Sequence, residues 1–271
     1  MKLLNGAELA EYIKERQRKE AQTLILNYKL KPSLAIIVTI DNPVINLYVS
    51  LKQKYGADLG IKVTVYRVQK ENIAQTIEDL NNDPLVNGII VQLPIFDITQ
   101  TEQIVNLVNP IKDVDALSQK TAFFPATPMA ILWLLAGYNI NFEGKKVLII
   151  GKGKLVGTPL LKALKDSGVD VAVADSKTKD LKKEVLNSDI IITATGSPGI
   201  LKGSYFKTNA VVVDAGVASE KGKLIGDLDE SVYLRDDLTI TPKKGGVGPL
   251  TVCALFENVL KATRKQNKLE E

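Results

Sequence analysis

Histidine is absent from this 271-residue chain, and cysteine occurs once, at Cys253. Without histidine there is no Ser-His-Asp or Cys-His nucleophile system and no histidine-built zinc site. One cysteine excludes an internal disulfide and a cysteine-built zinc site, and it fits a reducing, intracellular setting. Acid–base chemistry therefore falls to Lys, Tyr, Asp or Glu. Long hydrophobic runs are missing too: the longest, Met129 to Gly137, is far too short to span a bilayer. The opening MKLLNGAELAEYIKERQRKE turns polar after four residues, unlike a signal peptide. A cytoplasmic protein with no membrane partner is the expectation. Charge of one sign is scarce as well. Lys and Arg number 35 against 31 Asp and Glu, a formal excess of +4. That excess is too small, and too evenly spread, to point to nucleic acid; it weakly favours an anionic small molecule.

What is present is a globular mix, 45% apolar and 24% charged, with enough apolar surface to exclude disorder as the main state. Apolar, β-branched runs predict buried strands at Ser33–Ile40, Lys62–Val68, Gly88–Pro94, Lys146–Ile150, Asp170–Asp175, Asp189–Thr195, Ala210–Ala215 and Leu238–Thr241. Most are continuous rather than alternating, the mark of strands covered on both faces. Helical spacing lies between them, over 7–27, 44–58, 73–80, 101–108, 155–166 and 179–187. In 44–58, Leu47, Leu51, Tyr55 and the following Leu59 recur every four residues and predict an apolar stripe. Such alternation predicts an α/β protein with mostly parallel sheets. Two strand–helix sets flank residues 110–144, which carry Pro110, Pro125 and Pro128 and a helical stretch Met129–Leu135; this segment reads as a bridge between two domains. A last helix, Leu250–Ala262, could pack on either domain, and the polar tail after Lys261 is expected to fray.

The run Lys146–Ile150 leads into Gly151-Lys-Gly153-Lys-Leu-Val-Gly157 and then a helix. In this strand–loop–helix setting, Gly151 permits a sharp turn and Gly153 lets the backbone approach a pyrophosphate. The helix N-terminus then offers free N–H groups and a positive dipole end. The spacing is GxGxxxG rather than GxGxxG, so context carries the nucleotide reading more than the motif does. The next strand ends at Asp175, where an acid suits the ribose hydroxyls of NAD. Lys152, Lys154, Ser176 and Lys177 nearby suit a 2′-phosphate instead.

In the front half, Tyr48 and Lys52 stand one helical turn apart on one face. Burial there would lower the lysine's pKa toward useful acid–base values. The same spacing occurs in short-chain dehydrogenases, but there the glycine loop comes first, so the order here excludes that family. Gln92 closes a strand, where open α/β sheets gather ligands. Asp113 and Asp115 are too few for a metal and suit substrate hydrogen bonding, with surface salt bridging as the bland alternative. Gly245, Gly246 and Gly248 before the last helix imply close backbone approach.

Together these pieces resemble the FolD family of bifunctional methylenetetrahydrofolate dehydrogenase/cyclohydrolases over nearly the whole chain. The motifs, in order, are Asp41-Asn-Pro43 with Tyr48-Val-x-x-Lys52-x-Lys54, Gly88-Ile-Ile-Val-Gln92-Leu-Pro94, Lys112-Asp-Val-Asp115 and Thr127-Pro128. Then follow Gly151-Lys-Gly153, Val156-Gly157-x-Pro159, Ser176-x-Thr178, Ala194-Thr-Gly196, Asp214-Ala-Gly216-Val217, Gly226-Asp227 and Gly245-Gly-Val-Gly-Pro249-Leu-Thr251.

The resemblance implies an α/β folate-binding catalytic domain over 1–124 plus 249–271 and a Rossmann-type cofactor domain over 125–248. It implies oxidation of 5,10-methylenetetrahydrofolate with NADP, or alternatively NAD, and then hydrolysis of the methenyl product to 10-formyltetrahydrofolate, without a metal, in a homodimer. Lys52 would be the catalytic base or acid with Gln92 as its hydrogen-bonding partner. Tyr48 would orient the folate and Asp115 would bind its pterin edge. Val91, Leu93, Gly245, Gly246, Val247, Gly248, Pro249 and Thr251 would line the substrate. Gly151, Lys152, Gly153, Lys154, Val156, Asp175, Ser176, Thr195, Gly196, Gly216 and Val217 would hold the cofactor. The chain departs from the family pattern at Ile45 for a serine, Ala116 for the glycine after Asp-Val-Asp, Gly151-Lys-Gly153 for Gly-Arg-Ser, and Asp175-Ser176 for His-Ser. The alternatives are a two-domain NAD(P) dehydrogenase like shikimate dehydrogenase and a non-catalytic nucleotide-sensing protein.

Overall fold

A computed structural model of the chain describes residues 1–220 and 223–269. In chain order the elements are β1 (Lys2–Leu3), α1 (Gly6–Asn27), β2 (Ser33–Val38), α2 (Pro43–Leu59), β3 (Lys62–Arg67), α3 (Ile73–Asn82), β4 (Gly88–Val91), α4 (Thr101–Val105) and α5 (Ala126–Gly137). There follow β5 (Val147–Ile150), α6 (Gly157–Asp166), β6 (Val171–Ala174), α7 (Leu181–Leu186), β7 (Ile190–Thr193), β8 (Val211–Asp214), β9 (Ala218–Glu220), β10 (Lys223–Ile225), β11 (Thr239–Ile240) and α8 (Val247–Gln266). The chain forms two compact units: Glu11–Ala126 with the residues from Val252 onward, and Met1–Ala10 with Thr127–Thr251.

The first unit is built on a parallel three-stranded sheet in the order β3-β2-β4. Every residue of the central β2 and of β4 is buried, while the edge strand β3 is half-exposed. Ile37, Ile89 and Val91 pack with Ile73, Ile77 and Leu80 of α3, which explains why these runs read as continuously apolar. On α8, Phe256 is fully buried and its ring lies 5.0 Å from that of Tyr55. Gly56 permits this approach, since a Cβ there would stand 2.4 Å from Val63 and 3.2 Å from the Phe256 ring.

Two expectations for this unit are corrected. The stripe Leu47-Leu51-Tyr55-Leu59 does not face the core along its length. Leu47 and Leu51 are 47% and 45% exposed, Tyr55 is half-buried, and Leu59 is buried. Four residues turn an α-helix by about 400°, so a strict i+4 row winds around the helix and reaches the core only at its end. The buried row is Ile45, Val49, Gly56 and Leu59. The tail after Lys261 does not fray at once: α8 continues to Gln266, with Ala262 and Thr263 buried. Polar residues hold it, as Arg264 pairs with Glu20 at 3.1 Å and the Gln266 amide donates to the Asn87 carbonyl at 2.7 Å.

The second unit carries a six-stranded, all-parallel sheet in the order β1-β11-β8-β7-β5-β6. Chain direction across the sheet reverses at β5, flanked by β6 on one side and β7 on the other. Ligands gather at the carboxyl ends of strands at such a switch point. Residues 1–10 fall within this compact unit. Lys2 and Leu4 donate to the carbonyls of Leu238 and Ile240 at 2.9 and 2.8 Å, adding β1 as an edge strand. Two residues are too few to show a strand pattern in sequence. The antiparallel β9–β10 pair is likewise absent from the sequence reading. The two compact units meet after Ala126 and again after Thr251. No helix among the described residues is long and apolar enough to cross a membrane.

Candidate active site

Helix α2 begins with Asn42, whose side chain accepts from the Val44 N–H at 2.8 Å, followed by Pro43 in the first turn. This is why Asp41-Asn-Pro43 precedes the functional residues: a side-chain cap and a pre-set φ fix where the helix starts. One and two turns on, α2 presents Tyr48 and Lys52, both half-buried. The Lys52 Nζ donates to Gln92 Oε1 at 2.7 Å. Gln92 sits one residue past β4, and its own Nε2 donates to the Leu93 carbonyl at 3.0 Å. The amide is thereby oriented with its oxygen toward the lysine.

Burial pushes the Lys52 ammonium below its ordinary pKa, and the Asp115 carboxylate partly opposes that shift. Burial pushes Asp115 the other way, upward, against the pull of Lys52 and with help from Asp113. Both groups are displaced toward their neutral forms. Burial also raises the Tyr48 phenol. Among the described residues the Asp115 carboxylate has no hydrogen-bond partner within the protein. Asp113, by contrast, is spent: it accepts from the Ser118 hydroxyl at 2.7 Å and from the Ser118 and Leu117 N–H groups. The paired carboxylates thus divide, with one building the turn and one left over. Lys112 is structural as well, its Nζ donating to the carbonyls of Leu80 and Asp83.

The sequence reading missed Asn258 of α8. It is buried, and its Nδ2 donates at 2.9 Å to the carbonyls of both Val114 and Phe124, tying down the loop that carries Asp115. A buried asparagine in an otherwise apolar helix face was its only signal. Val91 and Val247, expected along the substrate, are buried, 2% and 5% exposed. Leu93 is half-buried. A separate depression of about 390 Å³ over the ends of β2 and β3, lined by Thr39, Asp41, Arg67, Gln69 and Lys70, contains none of the predicted site residues.

In the second unit the glycine loop sits at the switch point. Gly151 follows β5 with φ of +101°, and a Cβ there would stand 2.6 Å from the Ala194 carbonyl oxygen of the loop after β7. Gly157 opens α6, and its Cβ would stand 1.8 Å from the Gly151 carbonyl oxygen. These two glycines close the loop on itself. Gly153 differs: its φ is ordinary and nothing lies within 4 Å of a Cβ. The same is true of Gly248 in the first turn of α8. The fold does not need either glycine, and the space beside each is open. Val156 precedes α6 without a side-chain cap, and in the first turn the Thr158 N–H donates to the Gly153 carbonyl at 3.0 Å.

Lys152, Asp175, Ser176 and Lys177 are exposed around this loop. Asp175 accepts from the Lys177 N–H at 2.9 Å, which turns the chain after β6. Thr195 and Gly196 form the turn after β7, Gly196 with φ of +66°. Gly216 and Val217 follow β8, the latter 57% exposed. Gly245, with φ of +82°, and Gly246 pack on the start of α1: the Ala7 N–H donates to the Gly245 carbonyl, and a Cβ on Gly6 would collide with that of Gly246. Pro249 and Thr251 lie in the first turns of α8. Among the described residues no group of His, Cys, Asp and Glu could hold a metal ion.

Comparison with known proteins matches both halves. Residues 4–115 fit the tetrahydrofolate dehydrogenase/cyclohydrolase catalytic domain, and residues 125–267 fit the NAD(P)-binding domain of the same enzymes. The bifunctional protein FolD of Sulfurihydrogenibium sp. is 38% identical over 282 residues, covering 98% of this chain and 99% of the relative. The crystal structure of the bifunctional FolD methylenetetrahydrofolate dehydrogenase/cyclohydrolase from Campylobacter jejuni superposes with a TM-score of 0.91 at 36% identity, over 99% of this chain and 100% of the other. The Trypanosoma brucei FolD, solved with NADP and an inhibitor, gives 0.91 at 28% identity over 98% of each chain. Matched in both units and along its length, the chain belongs to the tetrahydrofolate dehydrogenase/cyclohydrolase family.

Proposed function

We propose that the protein oxidises 5,10-methylenetetrahydrofolate to the methenyl form and then hydrolyses that product to 10-formyltetrahydrofolate. The observation that carries this reading is the Lys52–Gln92 pair beside Asp115, in a chain of this family. A bound nicotinamide dinucleotide supplies the hydride acceptor for the first step. The chain's own task there is to align two molecules, which needs no side-chain proton transfer. The second step adds water to a cation, and Lys52 serves it. Burial brings its amine toward the neutral form, which can take a proton from the attacking water. The bond to Gln92 holds one N–H and limits the lone pair to the two remaining positions of the amine. Tyr48 orients the folate ring, and Asp115 meets the polar edge of the pterin while setting the proton affinity of Lys52.

Support for dinucleotide binding is the cradle of Gly151, Gly153 and Gly157 with the uncapped start of α6. Lys152 and Lys154 favour NADP by their charge, and Asp175 opposes it. The homodimer, the cytoplasmic setting and the absence of nucleic-acid or membrane partners belong to the same reading and rest on the resemblance and the composition.

The test offers purified protein 5,10-methylenetetrahydrofolate with NADP and NAD in parallel, and 5,10-methenyltetrahydrofolate alone. Reduced nicotinamide in the first arm and catalysed loss of the methenyl absorbance in the second support both activities. Folded protein silent in both arms overturns the proposal.

A further inference from the structure

Asp227 is fully buried and accepts three hydrogen bonds from the end of β7 and the turn after it. The Thr193 hydroxyl donates at 2.5 Å, the Thr195 N–H at 2.7 Å and the Ser197 N–H at 2.8 Å. The turn follows β7 at the switch point and touches the glycine loop, for it is the Ala194 carbonyl that would clash with a Cβ on Gly151. It is fastened from beneath only: Gly196, Ser197 and Pro198 are exposed. No Lys or Arg pairs with Asp227 among the described residues, so N–H and O–H donors satisfy it. A buried carboxylate held this way is costly to build, and a neutral acceptor could not serve both sides of the turn.

Asp227 is in turn held by Asp214 at the end of β8. The Asp214 carboxylate accepts from the N–H groups of Gly216 at 2.9 Å and of Asp227 and Leu228 at 3.2 Å. Each aspartate needs a glycine opposite it. A Cβ on Gly216 would stand 2.1 Å from the Asp227 carboxyl carbon, and one on Gly226 would stand 2.1 Å from an Asp214 oxygen. The spacing of Asp214, Gly216, Gly226 and Asp227 is thereby one device.

We propose that Asp227 is a positioning residue for the dinucleotide: it sets the backbone of the Thr195–Ser197 turn in the form that meets the cofactor, with Asp214 as its support. This rests on the NAD(P) reading above. The two activities separate it from a merely structural role, because hydrolysis of the methenyl substrate consumes no dinucleotide.

The experiment compares wild type with Asp227→Asn and the milder Thr193→Val. It measures NADP affinity, KM for NADP and for the folate, and the hydrolysis rate, each on protein shown to be folded. An Asn at 227 must turn an N–H toward one of the turn's own N–H groups. NADP affinity should fall about tenfold or more, the equivalent of one hydrogen bond. The Thr193→Val change should cost about two- to threefold. The KM for folate and the hydrolysis rate should hold in both. Should Asp227→Asn fail to fold, Thr193→Val carries the test. Unchanged NADP affinity in the folded variants, or both activities falling in proportion, overturns the role of Asp227. Wild-type protein that binds neither NADP nor NAD overturns the cofactor reading itself, and the role with it.

Discussion

The Lys52 side chain donates to Gln92 Oε1 at 2.7 Å, joining helix α2 to the end of strand β4. The lysine is held by a neutral partner while burial lowers its pKa and Asp115 raises it. A lysine paired directly with a carboxylate would stay charged; this one is placed to change protonation state. Replacing it with Met removes the amine and keeps the stem. Hydrolysis of the methenyl substrate should fall by about 10²–10⁴-fold, the usual worth of a positioned acid–base group. Arg at the same position keeps the cation but does not deprotonate, so it should not restore hydrolysis. Parallel assays on folded Lys52→Met and Lys52→Arg protein check this, and an active arginine variant would remove Lys52 as the base.

The pH profile follows from the same geometry. The amine works when neutral, so hydrolysis should rise with pH through the lowered Lys52 pKa. Asp115 raises that pKa. Its conversion to Asn removes the opposing charge and should move the rising limb to lower pH, whatever it does to folate binding. The rate at saturating substrate, followed against pH in both proteins, reads the displacement. A limb that stays put or moves upward contradicts the coupling.

The glycines of the cofactor loop should separate by role. At Gly157 a Cβ would stand 1.8 Å from the Gly151 carbonyl oxygen, so Ala there forces the loop apart and should cost about 1–3 kcal/mol of stability. At Gly153 φ is ordinary and the space is open. Ala there should leave stability unchanged or raise it by about 0.4–1 kcal/mol while weakening NADP binding. Denaturant melts with dinucleotide titrations distinguish the two, and a Gly153→Ala protein with wild-type affinity would remove that glycine from the cofactor site.

Much of this was legible from pattern alone. Continuous apolar runs mark β2, β4, β5 and β7 because parallel strands buried on both faces leave no polar side. Lys52 stands out by its spacing from Tyr48 on one helix face and Gln92 by its place after a strand, while the roles given to them and to Asp115 come from the family resemblance. Other features were hidden for physical reasons. β1 is two residues long and becomes a strand only because β11 offers an open edge. Asn258 acts through its side-chain amide on two distant carbonyls, which no local spacing announces. Gly216 and Gly226 look like loop glycines, yet each is required by an aspartate ten or more residues away. The α2 stripe misled because an i+4 row drifts around the helix, and only exposure could reveal where it turns inward.

Ala116, which stands where the family pattern it resembles has glycine, has φ of +57°. It sits in the turn beside Asp115, its N–H donating to the Asp113 carbonyl at 3.1 Å. Holding an L-residue in the left-handed region costs about 1–2 kcal/mol. Glycine would relieve that strain and give back about 0.5–1 kcal/mol in unfolded-chain entropy. The Ala116→Gly protein should therefore be more stable than wild type by about 0.5–1 kcal/mol, against the usual sign for glycine. The turn stays anchored by Asp113 and Ser118, so Asp115 should keep its place and the hydrolysis rate its value. Equilibrium unfolding of the two proteins decides it: a loss of stability would mean that the turn does not hold Ala116 in the left-handed form.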